Sequence, residues 1–160
     1  MKILIVGCGR IFPKHLESIT RLNSFFKLVA ICDTDLKKRN DYSKKLKVPA
    51  FKLIEEAINQ TKPDIVSILT PSGLHAKHTI EALKKNKHVI IEKPMCLSIK
   101  DLNTIVKIKK KKPNLFISSN LVLRTHPFFE KLIKEKKKLK KIYYVEGDYN
   151  YGRIDKLTKG

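Results

Sequence analysis

With 160 residues, 42% of them hydrophobic, the chain has the length for about one domain and too much apolar content for a disordered polymer. No apolar run approaches the roughly 18 residues of a bilayer-crossing helix, so no membrane partner is expected. The formal charge of +20 comes from thirty lysines and only five arginines set against 15 acids; with few arginine forks to read bases, the charge describes a solvated lysine-rich surface, weakly attracted to polyanions, with no specific nucleic acid as partner.

The elements follow in chain order. Ile3–Val6 is an apolar run that stops at Gly7, too short for the core of a secretion signal, and reads as a buried first strand. A helix follows with Ile11, His15, Leu16, Ile19 and Leu22 near one face. Leu28–Cys32 is strand two. Thr34 or Asp35 can cap the next helix, which runs toward Leu46 with a charged surface. Pro49 ends that region, Phe51 marks a short third strand, and Leu53–Asn59 is a brief helix. Pro63-Asp64 turns the chain into strand four, Ile65–Leu69; Ala76, Ile80 and Leu83 mark a buried helical face after it. His88–Ile91 is strand five. Ser98 and Asp101 form a capping box ahead of a helix whose buried face is Leu102, Ile105 and Val106, and Leu115–Ser118 is strand six.

Apolar strands separated by helices specify an α/β fold, a doubly wound parallel sheet of the Rossmann type covered on both faces. This domain is expected over residues 1–122. Residues 123–160 differ: Phe128, Phe129, Leu132 and Ile133 suit a helix, Lys136–Lys141 a charged turn, Ile142–Val145 a strand, and Tyr149 and Tyr151 flank Asn150. They read as the incomplete start of a second, α+β domain. The three cysteines, Cys8, Cys32 and Cys96, are far apart and show neither metal nor disulfide spacing; they read as buried thiols in a cytoplasmic protein.

Gly7-Cys8-Gly9 lies where strand one turns into the first helix. A glycine permits the tight turn, a second lets backbone approach a pyrophosphate, and the helix N-terminus offers unpaired amides and a positive dipole end. The third glycine of the usual fingerprint is replaced by Phe12. Asp33 ends strand two, 24 residues after Gly9. Its carboxylate either grips the adenosine ribose hydroxyls, disfavouring a 2′-phosphate and so selecting NAD over NADP, or caps the following helix. Arg10 is a phosphate contact or a surface cation.

Thr70-Pro71-Ser72-Gly73-Leu74-His75 follows strand four, and Glu92-Lys93-Pro94 follows strand five. Both fall at strand carboxyl ends, where open parallel sheets bind ligands. Together with Gly7-Cys8-Gly9-Arg10-Ile11 and His15, these stretches closely resemble the glucose–fructose oxidoreductase, inositol dehydrogenase and MocA-like (Gfo/Idh/MocA) family over nearly the whole chain. The resemblance implies NAD(P)-dependent hydride transfer to or from a sugar, nucleotide sugar or cyclitol. It places Gly7, Gly9, Arg10 and Ile11 at the dinucleotide phosphates, Thr70, Pro71 and His75 along the cofactor, and Glu92, Lys93 and Pro94 in the cofactor site, with Lys93 catalytic and pointing to the nicotinamide and substrate. The Pro peptide in that element is often cis. Asn120 and Arg124 match the family's stretch entering the second domain, where they border nicotinamide or substrate or are ordinary loop polarity. Phe12 departs from the small residue usual in the phosphate loop, which puts the packing of the first helix in question.

Chemically, Lys93 at a strand end can donate to a substrate hydroxyl and stabilise alkoxide character as hydride leaves; alternatively it caps the sheet edge or pairs with Glu92. His75 and His78 are one turn apart, but no nearby Cys or carboxylate completes a metal set; His75 is expected beside the cofactor and His78 on the surface or in helix packing. Family members are roughly twice as long, form homo-oligomers and draw an acid–base Asp and His from the second domain. The chain is thus expected to be a truncated oxidoreductase that binds cofactor without a complete catalytic site. The alternatives are a stand-alone dinucleotide-binding module needing a partner chain, and a lysine-rich nucleic-acid binder.

Overall fold

The computed structural model describes residues 1–148. The chain divides into two compact units, the first Met1–Leu121 and the second beginning at Val122. The first unit holds six strands, β1 (Lys2–Val6), β2 (Lys27–Cys32), β3 (Ala50–Phe51), β4 (Ile65–Ile68), β5 (His88–Ile91) and β6 (Ile117–Ser119), and five helices, α1 (Phe12–Arg21), α2 (Leu36–Leu46), α3 (Ile54–Thr61), α4 (Ser72–Lys84) and α5 (Ile99–Lys111). The strands form one sheet in the order β3-β2-β1-β4-β5-β6, and every pairing is parallel. The order reverses between β1 and β4, so the crevice at their carboxyl ends is the switch point of the sheet.

Alternation along the strands sends successive side chains to opposite faces. Leu4, Val6, Ala30, Cys32, Val66, Ile68, Val89 and Ile91 pack against α3, α4 and α5 through Ile54, Ala57, Ile58, Leu83 and Ile105. Ile3, Ile5, Ile31 and Ile65 face the other way, onto Cys8 and Phe12, with Leu16, Ile19 and Tyr42 of α1 and α2 packed alongside. A sheet buried on both faces explains strands that read as unbroken apolar runs.

Phe12 answers the question raised by its size. It is fully buried, and its ring stacks obliquely on Tyr42 with centroids 4.5 Å apart. The residue therefore serves as a core anchor for α1, packed in one cluster with Cys8, Ile3, Ile5 and Ile31, and it does not line the cleft described below.

Caps form largely as their sequences specify. Asp35 accepts from the Lys38 amide at 3.1 Å and opens α2. Ser98 accepts from the Asp101 amide at 3.1 Å, but Asp101 takes the Ser98 hydroxyl at 2.8 Å instead of reaching back to the Ser98 amide, so only half of the box is built. On α5 the packed stripe is Ile105, with Ile108 alongside. Leu102 and Val106, expected inside, are 37% and 41% exposed; they line a surface groove with Met95 and Ile117 that no other element among the described residues fills.

In the second unit a 3-10 turn spans Val122–Thr125, and α6 spans Pro127–Lys136. His126 caps α6 by accepting from the Phe128 amide at 3.3 Å. The expected strand Ile142–Val145 does not form; all four side chains are exposed. Apolar, β-branched and aromatic content marks a segment fit to be a strand, but a ladder needs a partner, and none is present among the described residues. Tyr149, Asn150 and Tyr151 lie outside the described residues.

Candidate functional site

The carboxyl ends of β1, β2 and β4 open into a cleft of about 480 Å³ lined by Gly7, Gly9, Asp33, Thr34, Lys38, Lys52, Leu69, Thr70, Pro71, Leu74 and His78. The turn from β1 to α1 forms one wall. Gly7 has φ +99°, and a Cβ there would stand 2.8 Å from the Leu69 carbonyl atoms and 2.9 Å from the Thr70 nitrogen. Only glycine lets the two loops meet. Gly9 differs: no heavy atom lies within 4 Å of where its Cβ would be. Its missing side chain leaves space on the cleft side, as a backbone cradle for a bulky anion requires. The residues thus fit a dinucleotide phosphate.

Asp33 lines the same cleft, directly against the turn. Its Oδ2 accepts from the Cys8 amide at 2.6 Å and its Oδ1 from the Asp35 amide at 2.9 Å. One carboxylate therefore braces the phosphate loop and the entry to α2. Each oxygen keeps a second lone pair for a ligand hydroxyl. The helix-cap role falls to Asp35, leaving Asp33 free for the cleft. Cys8 and Cys32 flank this carboxylate, and burial followed by the Asp33 charge pushes each thiol up to about 12. Both stay protonated and unreactive at neutral pH.

The loop after β4 lies against two histidines of α4, His75 and His78. His75 is 1% exposed. Its Nδ1 lies 2.6 Å from the Pro94 carbonyl and its Nε2 2.6 Å from the Thr70 carbonyl, so the ring is packed between the loop after β4 and the loop after β5. It does not line the cleft. His78, expected on the surface or in helix packing, does line it; its Nδ1 lies 3.1 Å from the Thr70 hydroxyl oxygen. Burial first, then the neighbouring Lys77 and His75, depress its basicity. The spacing of two histidines one turn apart was visible in the sequence; which of them faced the cleft depended on how α4 rolls against the sheet.

At the end of β5 the Lys93–Pro94 peptide is cis. Lys93 is exposed, and no carboxylate lies within salt-bridge distance of it among the described residues. It does not pair with Glu92. Glu92 instead accepts from His15 Nε2 at 2.8 Å and from Asn120 Nδ2 at 2.5 Å. Burial alone would raise the Glu92 carboxyl, but the Asn120 and His15 hydrogen bonds more than reverse this and hold it below the usual carboxylate range. It is an anion at neutral pH.

Gly7, Gly9, Asp33, Thr70 and Pro71 are thus gathered in one cleft. Glu92 and Asn120 meet in a second cluster at the ends of β5 and β6, next to Lys93 and Pro94 in sequence. Arg10 is exposed beside the phosphate loop, and Ile11 is the N-cap residue of α1, packed toward the core. Arg124 lies in the second unit. Lys38 and Lys52, which belong to no motif, also line the cleft, as do Thr34, read above as a candidate helix cap, and Leu74 of the Thr70–His75 stretch. Among the described residues no cluster of three or more potential metal ligands occurs, and no helix is long and apolar enough to cross a membrane.

Comparison with known proteins agrees with this architecture. Residues 1–120 match the family model described as an oxidoreductase family with an NAD-binding Rossmann fold. Glucose-6-phosphate 3-dehydrogenase of Bacillus subtilis is 30% identical over 100 residues, 62% of this chain and 28% of that protein. Myo-inositol 2-dehydrogenase of Thermotoga maritima is 30% identical over 112 residues, 69% of this chain and 33% of that protein. The WlbA dehydrogenase of Bordetella pertussis, solved with NADH and UDP-GlcNAcA, superposes with a TM-score of 0.80 at 26% identity, covering 86% of this chain and 42% of that one. Scyllo-inositol dehydrogenase of Lactobacillus casei, solved with NAD(H) and scyllo-inositol, gives a TM-score of 0.78 at 27% identity over 86% of this chain and 42% of that one. The chain spans about a third of the length of the curated relatives it matches. By its fold, its phosphate-loop geometry and the family match over residues 1–120, it belongs to the Gfo/Idh/MocA oxidoreductase family.

Proposed function

We propose that this chain is the cofactor-binding portion of an NAD-dependent oxidoreductase that moves hydride between the nicotinamide and a carbon bearing a hydroxyl or carbonyl in a sugar, nucleotide sugar or cyclitol. The observation that carries the reading is the Asp33 carboxylate held against the phosphate turn in the same cleft as Gly9, beside whose Cβ position nothing lies within 4 Å. A diphosphate held by the Gly7–Gly9 backbone and the α1 N-terminus, with its adenosine ribose on Asp33, uses every part of that geometry. A negative group at Asp33 repels a 2′-phosphate, which supports NAD over NADP, as does NADH in the related WlbA structure.

The nicotinamide, when bound, supplies hydride acceptance or donation. The chain's own residues bind and orient. Gly7, Gly9, Arg10 and Ile11 form the phosphate turn, and Thr70 and Pro71 the wall beyond it. His75 supports that wall, packed between Thr70 and Pro94. Lys93, an ammonium without a partner, donates a hydrogen bond to the substrate oxygen and stabilises its alkoxide character. The group that takes the hydroxyl proton is proposed to lie in the part of the relatives that this chain does not span. Removing such a group costs about 10²–10⁴ in rate, so the chain alone is expected to bind cofactor with negligible turnover. Residues from 123 onward are proposed to open the substrate domain, and the full-length form to be a homo-oligomer. The unpaired Cys8, Cys32 and Cys96 support a reducing, cytoplasmic setting.

The test is a fluorescence titration of NADH and NADPH against the wild type and Asp33→Ala. NADH should bind at least about tenfold tighter than NADPH to the wild type, and Asp33→Ala should lose about tenfold or more for NADH. Equal NADH affinity in the two proteins would remove the basis of the reading.

A further inference from the structure

The dinucleotide cleft lies at the carboxyl ends of the strands. The opposite, amino edge of the same sheet carries a different chemistry. Lys2 and Lys27 open β1 and β2, and Lys47, Lys62 and Lys87 stand in the turns that enter β3, β4 and β5. Among the described residues no carboxylate lies within salt-bridge distance of any of these ammonium groups. Asp64 is the acid on this edge, and its Oδ2 accepts from the Lys2 backbone amide at 2.7 Å. A lysine at the end of a helix answers the helix dipole. Lys2 and Lys27 instead begin strands, and the register sets them side by side, where like charges repel. They line an open depression of about 400 Å³ with Asn23, Ser24, Phe25 and Asp64. An anion seated there relieves the repulsion.

Aromatic rings flank this row of cations. Phe25, in the turn entering β2, is 65% exposed, and Phe116, in the turn entering β6, is 76% exposed. Phe116 is held in place: its amide donates to His88 Nδ1 at 3.1 Å, and its ring lies 5.6 Å from the His88 ring. The entries of β2 and β6 are separated by β1, β4 and β5. At about 4.8 Å per strand they stand about 19 Å apart, with Lys2, Lys62 and Lys87 between them. Cations interleaved with open ring faces fit a chain of phosphates and unpaired bases. A duplex offers phosphates but keeps its base faces stacked on one another. Stacking needs no arginine fork, so it suits an edge rich in lysine and poor in arginine.

We propose that the amino edge of the sheet binds single-stranded nucleic acid without sequence preference, its phosphates on Lys2, Lys27, Lys62 and Lys87 and its bases stacked on Phe25 and Phe116. The surface is independent of the dinucleotide cleft and lies at the other end of the strands, so both are open at once.

Fluorescence anisotropy of a labelled oligo(dT) of about 12 nucleotides is measured against the 160-residue chain, with a duplex of the same length, inorganic polyphosphate, anionic lipid vesicles and NADH as competitors. Oligo(dT) should bind at about 0.15 M salt, more tightly than the duplex. Phe25→Ala and Phe116→Ala should each weaken it about fivefold or more, the worth of one stacked base, and leave polyphosphate within about twofold. Lys2→Gln and Lys27→Gln should each lower the slope of log K against log salt by about 0.7. Saturating NADH should displace nothing. Unchanged oligo(dT) affinity in both phenylalanine variants overturns the proposal, as does a duplex held as tightly as the single strand, since either outcome means bare charge attraction. An equal loss for polyphosphate overturns it by making the rings structural. Displacement by NADH overturns it by placing the strand in the dinucleotide cleft, and binding to vesicles without binding to oligo(dT) overturns it in favour of a lipid surface. Phe25→Leu, which keeps the apolar bulk and loses the ring face, should weaken oligo(dT) in the same way and keeps the test decisive if an alanine variant does not fold.

Discussion

The two glycines of the phosphate turn should respond to the same substitution in opposite ways. At Gly7 an alanine Cβ would meet backbone of Leu69 and Thr70 at 2.8–2.9 Å with φ at +99°. Neither neighbour can yield easily, since the Gly7 amide donates to Cys32 and the Leu69 amide to Val6, each at 2.7 Å. The dihedral alone costs about 1–3 kcal/mol. With the clash, Gly7→Ala should destabilise by about 3–5 kcal/mol, a large part of the ~5–15 kcal/mol of a whole domain. At about 3–5 °C per kcal/mol for a unit of this size, the midpoint should fall by about 10–20 °C. Gly9→Ala meets nothing within 4 Å and should change stability by no more than about 0.5 kcal/mol. Its methyl group occupies space reserved for the ligand, so the loss of one charge-assisted amide contact should weaken NADH by about 10- to 100-fold. Thermal denaturation by circular dichroism and NADH titration of both variants give the four numbers. Stable Gly7→Ala, or Gly9→Ala that binds NADH as tightly as wild type, would refute the assignment of one glycine to the fold and the other to the ligand.

Other outcomes follow from the same structure. Phe12→Ala removes a fully buried ring and should cost about 3–5 kcal/mol in chemical denaturation; a loss under 1 kcal/mol would mean the ring is not a core anchor. Glu92, held below the usual carboxylate value of 4.5, adds stability that is present above pH about 4.5 and lost as pH falls through its lower folded value. The difference in melting temperature between wild type and Glu92→Gln should therefore shrink with acidification in that window; a pH-independent difference would count against the charged network. Glu81 has the opposite sign, because burial and then Glu55 raise its carboxyl. Glu81→Gln should thus be more stable than wild type at neutral pH, with the gain vanishing below pH about 4.5. Lys62 ends α3 at φ +45°, so Lys62→Gly should stabilise by about 0.5–1 kcal/mol, read as a higher midpoint in urea.

Much of the fold was legible because its signals are local. Unbroken apolar strands, alternating helical stripes and the glycines at the end of β1 specified a parallel sheet with a ligand crevice at its carboxyl edge. The same locality misled at Leu102 and Val106, which line an open groove because helical spacing does not say which flank of a stripe a neighbour covers, and at Ile142–Val145, whose β character lacked a ladder partner among the described residues. Chemistry-bearing residues divided the same way. The chain's own order supplied Gly7, Gly9, Asp33, Thr70, Glu92 and Lys93 as candidates, each set at a strand end by short-range pattern. The tertiary structure decided that Phe12 turns into the core, that His75 packs between two loops while His78 lines the cleft, and that Glu92 bonds to His15 and Asn120 instead of Lys93. These partners lie up to 77 residues apart, and side-chain direction is set by how each helix rolls against the sheet. No periodicity along the chain encodes that roll, since it emerges only when the two faces of the sheet are packed at once.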